Sequence, residues 1–171
     1  MRNSNSKIEP ENIRVLHVDD NSTFANLTAS HLEQENDILV VEIETSASEA
    51  LETLENDGSF DCIVSDYEMP GMDGLDFLNE VRDSGVHSNI PFILFTGKGN
   101  EEIASDAISK GVTDYLQKKE GGDQYKVLAN RIVNNVERYR AEKELKRGEE
   151  RLRQIIDLLP QFVFVTDREG K

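Results

Sequence analysis

Cysteine occurs once in these 171 residues, at Cys62. A single thiol excludes an internal disulfide and a cysteine-built zinc site. Inside its apolar run the residue reads as a small core side chain. Long hydrophobic runs are missing too. None approaches the roughly 20 residues that span a bilayer, and the opening "MRNSNSKIEPE" has no signal-peptide core. The chain is therefore expected in the cytoplasm, with no membrane partner. Bases are scarce in the first part: residues 1–125 carry 26 acids against 8 bases, whereas residues 126–171 carry 8 acids against 11. The acidic part repels phosphates, so no direct nucleic acid contact is expected. Its charge suits a salt-adapted cytoplasm and equally a plainly solvated acidic surface. The sequence has no internal repeats and no low-complexity tracts.

What is present is an alternation. Short runs rich in Val, Ile and Phe, "IRVLHV" (13–18), "ILVVEIE" (38–44), "FDCIVS" (60–65), "IPFILFT" (90–96) and "VTDYLQ" (112–117), have the length of buried strands. Pro91 stands at the start of its run, where a strand tolerates it. Helix patterns lie between the runs. Ser22 is placed to cap "TFANLTASHLEQE", Ser46 with Glu49 forms a capping box, Asp73 caps "GLDFLNEVRDS", and Asn100 caps "EEIASDAISK", which Gly111 ends. Five strands alternating with helices give an α/β fold, a doubly wound parallel sheet with right-handed crossovers.

Such a sheet binds ligands outside the carboxyl ends of its strands. The residues predicted there are Asp19 and Asp20 after the first strand, Asp66 after the third, Thr96 ending the fourth and Lys118 after the fifth. Clustered carboxylates raise one another's pKa values or bind a cation. A few hard oxygens favour Mg²⁺ that keeps several waters. Asp66 would then serve as a nucleophile toward phosphorus, with Mg²⁺, Lys118 and Thr96 stabilising the equatorial oxygens. The turn at Pro70 and Gly71 would hold the cleft open.

"VDD", "SDYEMPGMDG", Thr96 and Lys118 together resemble the receiver domain of two-component response regulators, over residues 12–137. The resemblance implies a flavodoxin-like strand order 2-1-3-4-5 and Asp66 as phosphoacceptor, with a histidine kinase as donor. It implies Mg²⁺ held by Asp19, Asp20, Asp66 and the backbone carbonyl of Glu68. Thr96 and Lys118 would grip the phosphoryl group, and Tyr115 would be the switch aromatic that follows Thr96. Glu68, two residues after the acceptor, would set the dephosphorylation rate. One departure stands out: the family usually follows the lysine with proline and a cis peptide, and here Lys119 follows.

Residues 1–11 read as a tail, and residues 138–152 as a linker within one long helical pattern that starts near Asp123. In that pattern Leu145, Leu152 and Leu159 recur at sevens, with Ile156 at the matching a position. Glu142 and Glu149 occupy a positions, and Gly148 interrupts. A homodimer through this extended C-terminal helix and a solvated linker helix both fit. Residues 153–171, with "LLP" and Asp-x-x-Gly, resemble the start of a PAS sensory domain, cut short, which implies a downstream PAS or other output domain.

An aspartate-nucleophile phosphohydrolase is the enzyme alternative, but "DYEM" lacks the threonine that class places after its second acid, and no lid insertion follows. A pseudo-receiver would normally have lost one of the five key residues. The expectation is therefore no enzyme beyond Mg²⁺-dependent phosphorylation and dephosphorylation of Asp66, with a histidine kinase downstream in a longer protein a further option. His17, His31 and His87 share no face, and "TGKGN" lacks the spacing of a phosphate loop.

Overall fold

The computed structural model describes residues 11–97 and 101–158. The Asn100 cap and the tail from 159 onward lie outside the described residues. Five strands, β1 (Ile13–Val18), β2 (Leu39–Glu44), β3 (Cys62–Ser65), β4 (Phe92–Thr96) and β5 (Asp114–Gln117), alternate with five helices. These are α1 (Ser22–Glu35), α2 (Ala47–Asn56), α3 (Gly74–Asp83), α4 (Glu101–Ser109) and α5 (Asp123–Leu158). The strands form one parallel sheet in the order β2-β1-β3-β4-β5, as the alternation and the resemblance implied.

Side chains alternate across this sheet and build two cores. Leu16, Val18, Ile63, Phe92 and Leu94 face one layer with Leu54, Phe77 and Leu78. Val15, Cys62, Val64, Ile93 and Phe95 face the other, with Leu32 and with Tyr125, Leu128 and Ile132 of α5. Cys62 is a fully buried thiol, and burial pushes its pKa up. Each fully buried Phe or Leu stabilises the fold by about 1.5–3 kcal/mol.

The helix ends explain where the elements stop. The cap of α1 is Asn21, not Ser22: the Asn21 side chain accepts the Phe24 N–H at 3.1 Å, and Ser22 is the first helical residue. Asp19 decides between them, because its Oδ1 takes the Asn21 N–H at 2.9 Å and fixes the turn one residue earlier. Ser46 caps α2, accepting the Glu49 N–H at 3.2 Å. Glu49 returns the contact to the hydroxyls of Thr45 and Ser46. Asp73 caps α3 through the N–H groups of Leu75 and Asp76. After α4, Gly111 takes φ +89°. Its N–H reaches the Ile108 carbonyl, and the Val112 N–H reaches that of Ala107, a Schellman closure.

The chain divides into two compact units, Met1–Tyr139 and Arg140–Lys171. Within the first, Arg131 holds both carboxylate oxygens of Asp114 at 2.9 Å. Within the second, every described residue from Ala141 to Leu158 is exposed. No helix among the described residues is long and apolar enough to cross a membrane.

Candidate functional site

Register builds the site. Val18 pairs with Ser65, so the residues that follow them, Asp19 and Asp66, leave adjacent strands at the same level. Thr96 pairs with Gln117, which puts Lys118 one step beyond. The ladder runs a residue further at each end: Asp66 N–H to Val18 O at 2.8 Å, Asp19 N–H to Glu44 O at 3.1 Å, and Lys118 N–H to Thr96 O at 2.8 Å. Four candidate side chains thus spring from hydrogen-bonded backbone at one sheet edge.

Carboxylate oxygens of Asp19, Asp20 and Asp66 lie within 4.8 Å of one another. Asp19 is buried, Asp66 is 8 % exposed and Asp20 is open to solvent. The Lys118 ammonium donates to Asp19 Oδ2 at 2.7 Å and to Asp66 Oδ2 at 2.8 Å. Asp66 Oδ1 accepts the Tyr67 N–H at 2.6 Å. Three carboxylates against one ammonium leave a deficit of two positive charges on hard oxygen donors. A small dication fits that set, so Asp19, Asp20 and Asp66 could hold Mg²⁺.

Thr96 is buried at the end of β4, and Tyr115 on β5 is half-buried against the α2–α4 core. Burial pushes the Tyr115 phenol up. Glu68 is exposed and lines, with Asp20, Tyr67, Met69, Pro70 and Asp73, a shallow cavity of about 430 Å³. Gly71 has φ +84° in that loop. No cis peptide bond occurs among the described residues. The Lys119 N–H, which a proline would lack, donates to Gln124 Oε1 at 2.9 Å and ties the loop to the first turn of α5.

Three neighbours were not foreseen. His17, treated as unconnected from sequence, is fully buried two residues before Asp19 and contacts the Val64 carbonyl through Nδ1 at 3.1 Å. Desolvation holds its pKa below the usual value. Gly74 lies so close to the loop after β3 that an added Cβ would stand 2.3 Å from the Asp66 carbonyl oxygen. The Phe24 ring centroid is 4.4 Å from Lys118 Nζ. In the sequence Phe24 is only one apolar residue of a helix pattern; Gly74, next to the cap Asp73, was the readable signal.

The response regulator receiver domain profile matches residues 15–130. The chain belongs to that family. This receiver is 31% identical over 106 residues to the chemotaxis protein CheY1 of Helicobacter pylori, covering 62% of this chain and 85% of that one. It is 32% identical to the sensor histidine kinase CheAY of the same species over 77% of this chain but only 16% of that protein. The receiver spans well under half the length of several larger relatives it matches. Among solved structures it resembles the chemotaxis protein CheY4 of Vibrio cholerae, with TM-score 0.63 and 26% identity over 71% of this chain and 98% of that one. A receiver domain protein of Methanospirillum hungatei gives TM-score 0.65 at 25% identity, over 77% and 99%. Receivers as a family accept phosphoryl groups from histidine kinases and bind Mg²⁺ in an acidic pocket.

Proposed function

We propose that this receiver is switched by phosphorylation of Asp66. The observation that carries the reading is the Asp66 carboxylate itself, fixed at a strand end between the Tyr67 amide and the Lys118 ammonium, with Asp19 and Asp20 alongside. A carboxylate oxygen of Asp66 forms a bond to phosphorus while the bond from phosphorus to the leaving group breaks. The electron pair departs with acetate from a small donor, or with the imidazole of a phosphohistidine kinase, which then takes a proton from solvent. Asp19, Asp20 and Asp66, with the Glu68 backbone carbonyl, would hold Mg²⁺, which when bound neutralises charge on the phosphoryl oxygens.

Lys118 then exchanges its bond to Asp66 for one to the phosphoryl group, and the Thr96 hydroxyl moves toward the same oxygens. Space opens for Tyr115, which shifts the packing between β5 and its neighbours. Residues 12–137 form the switching domain, after a tail over 1–11, and 138–152 link it to a downstream output; residues 153–171 are the start of a PAS-like segment. The exposed side chains of Leu145, Leu152, Ile155 and Ile156 on α5 support pairing with a second copy through that helix. Mass spectrometry after acetyl phosphate treatment tests the acceptor: wild type gains one phosphoryl group and Asp66→Asn gains none. Equal labelling of both refutes the assignment.

A further inference from the structure

Lys118 is gripped by more than carboxylates. Its Nζ lies 4.4 Å from the centroid of the Phe24 ring and 5.9 Å from that of Phe95, and the two rings are 6.0 Å apart. Phe95 is fully buried in β4 next to Thr96, while Phe24 stands half-buried in the first turn of α1. Two of the ammonium's three donors go to Asp19 and Asp66. Both of those oxygens belong to the carboxylates that face the proposed Mg²⁺ and phosphoryl group, so both bonds are open to exchange when the site is used. The ring contact is not, because an aromatic face competes for neither metal nor phosphate.

We propose that Phe24 is a positioning residue for phosphoryl transfer, an aromatic rest that keeps the Lys118 ammonium at the acceptor while its carboxylate bonds are exchanged. This rests on the reading of Asp66 as acceptor. The attraction of a cation to a ring face is electrostatic and strengthens as water is excluded, and a half-buried Phe24 backed by Phe95 provides that exclusion. Leucine at this position keeps the apolar bulk but has no π face. Tyrosine keeps the face.

The experiment compares wild type, Phe24→Leu and Phe24→Tyr in Mg²⁺-loaded protein. Beryllofluoride affinity and the rate of labelling by acetyl phosphate should both fall about three- to tenfold in Phe24→Leu, and stay within about twofold of wild type in Phe24→Tyr, at similar melting temperatures. A second readout needs no phosphoryl chemistry. The Lys118 ε-methylene protons of the unloaded protein should resonate upfield from ring current in wild type and Phe24→Tyr, and return toward ordinary lysine values in Phe24→Leu. Phe24→Leu labelling at the wild-type rate overturns the proposal, as does an equal loss in Phe24→Leu and Phe24→Tyr, which marks a packing role. Failure of wild type itself to bind beryllofluoride overturns the acceptor reading instead, and the upfield lysine signal would survive that outcome.

Discussion

Adding one methyl group at Gly74 tests how tightly the acceptor loop is built. In Gly74→Ala the new Cβ would sit 2.3 Å from the Asp66 carbonyl oxygen, 2.9 Å from Leu94 Cδ2 and 3.0 Å from Tyr67 Cα. Leu94 is a side chain and can rotate. The other two contacts are backbone, so relief requires the β3–α3 loop to move as a body. The Gly74 N–H to Tyr67 carbonyl bond, 2.8 Å, is strained in the same movement. Overpacking of this kind destabilises by about 1–3 kcal/mol, and rigid backbone neighbours place it at the upper end. Alanine returns up to about 1 kcal/mol of helix propensity. The net loss is about 2 kcal/mol, which for a unit of this size lowers Tm by roughly 6–10 °C. Because the displaced atom is the Asp66 carbonyl, the carboxylate shifts with it, and acetyl phosphate labelling should slow by about tenfold or more. Circular dichroism melts and mass-resolved labelling read the two effects. The control is Gly148→Ala in α5, where nothing lies within 4 Å of the built Cβ; it should raise helicity. A Gly74→Ala protein that melts within about 1 °C of wild type and labels normally would refute the reasoning.

Three further outcomes follow from the geometry. Lys118→Ala removes the only ammonium bonded to Asp19 and Asp66 among the described residues, so Mg²⁺ affinity, read by calorimetric titration, should rise several-fold from about 1 kcal/mol of lost repulsion, while beryllofluoride binding collapses; weaker Mg²⁺ binding would contradict this. His17 is buried and its folded pKa lies below the reference 6.5, first because of desolvation. The unfolded chain therefore binds the extra proton. Stability should be full above about pH 6.5 and fall by up to about 1.4 kcal/mol per unit below it, a slope that denaturant titrations should find reduced in His17→Phe. Asn21→Ala should cost about 1 kcal/mol as a lost cap and Ser22→Ala nearly nothing, an order that denaturant midpoints would reverse if Ser22 were the cap.

The fold was largely legible because the three inner strands, β1, β3 and β4, are apolar runs that the sheet buries. Its ends were less so. Phe60, Asp61, Ile90 and Pro91 continue the apolar or extended pattern, yet the strands begin at Cys62 and Phe92, since composition does not distinguish an extended approach from a paired ladder. The acids at the strand ends were readable from parallel topology alone. The choice of Asn21 over Ser22 was not, because it depends on an Asp19 oxygen that arrives through the turn. Nor were the individual bonds of Lys118 to Asp19 and Asp66 or the aromatic contact of Phe24, which arise from distances between segments far apart in the chain.

The bond between Lys118 and Asp19 joins residues 99 apart in sequence. At ribosomal speeds of about 5–20 residues per second, Asp19 is made roughly 5–20 s before its counter-charge. Strands β1 and β3 are adjacent in the sheet, so Asp66 can join Asp19 and Asp20 while β5 is still unmade. Over the last 52 residues of that interval, from Asp66 to Lys118, the nascent chain would hold the three carboxylates without Lys118. A chain stalled before β5 would hold the proposed metal ligands while lacking the lysine of the proposed phosphoryl pocket. The proposed phosphoryl pocket is therefore completed late in synthesis, when β5 closes the edge of the sheet.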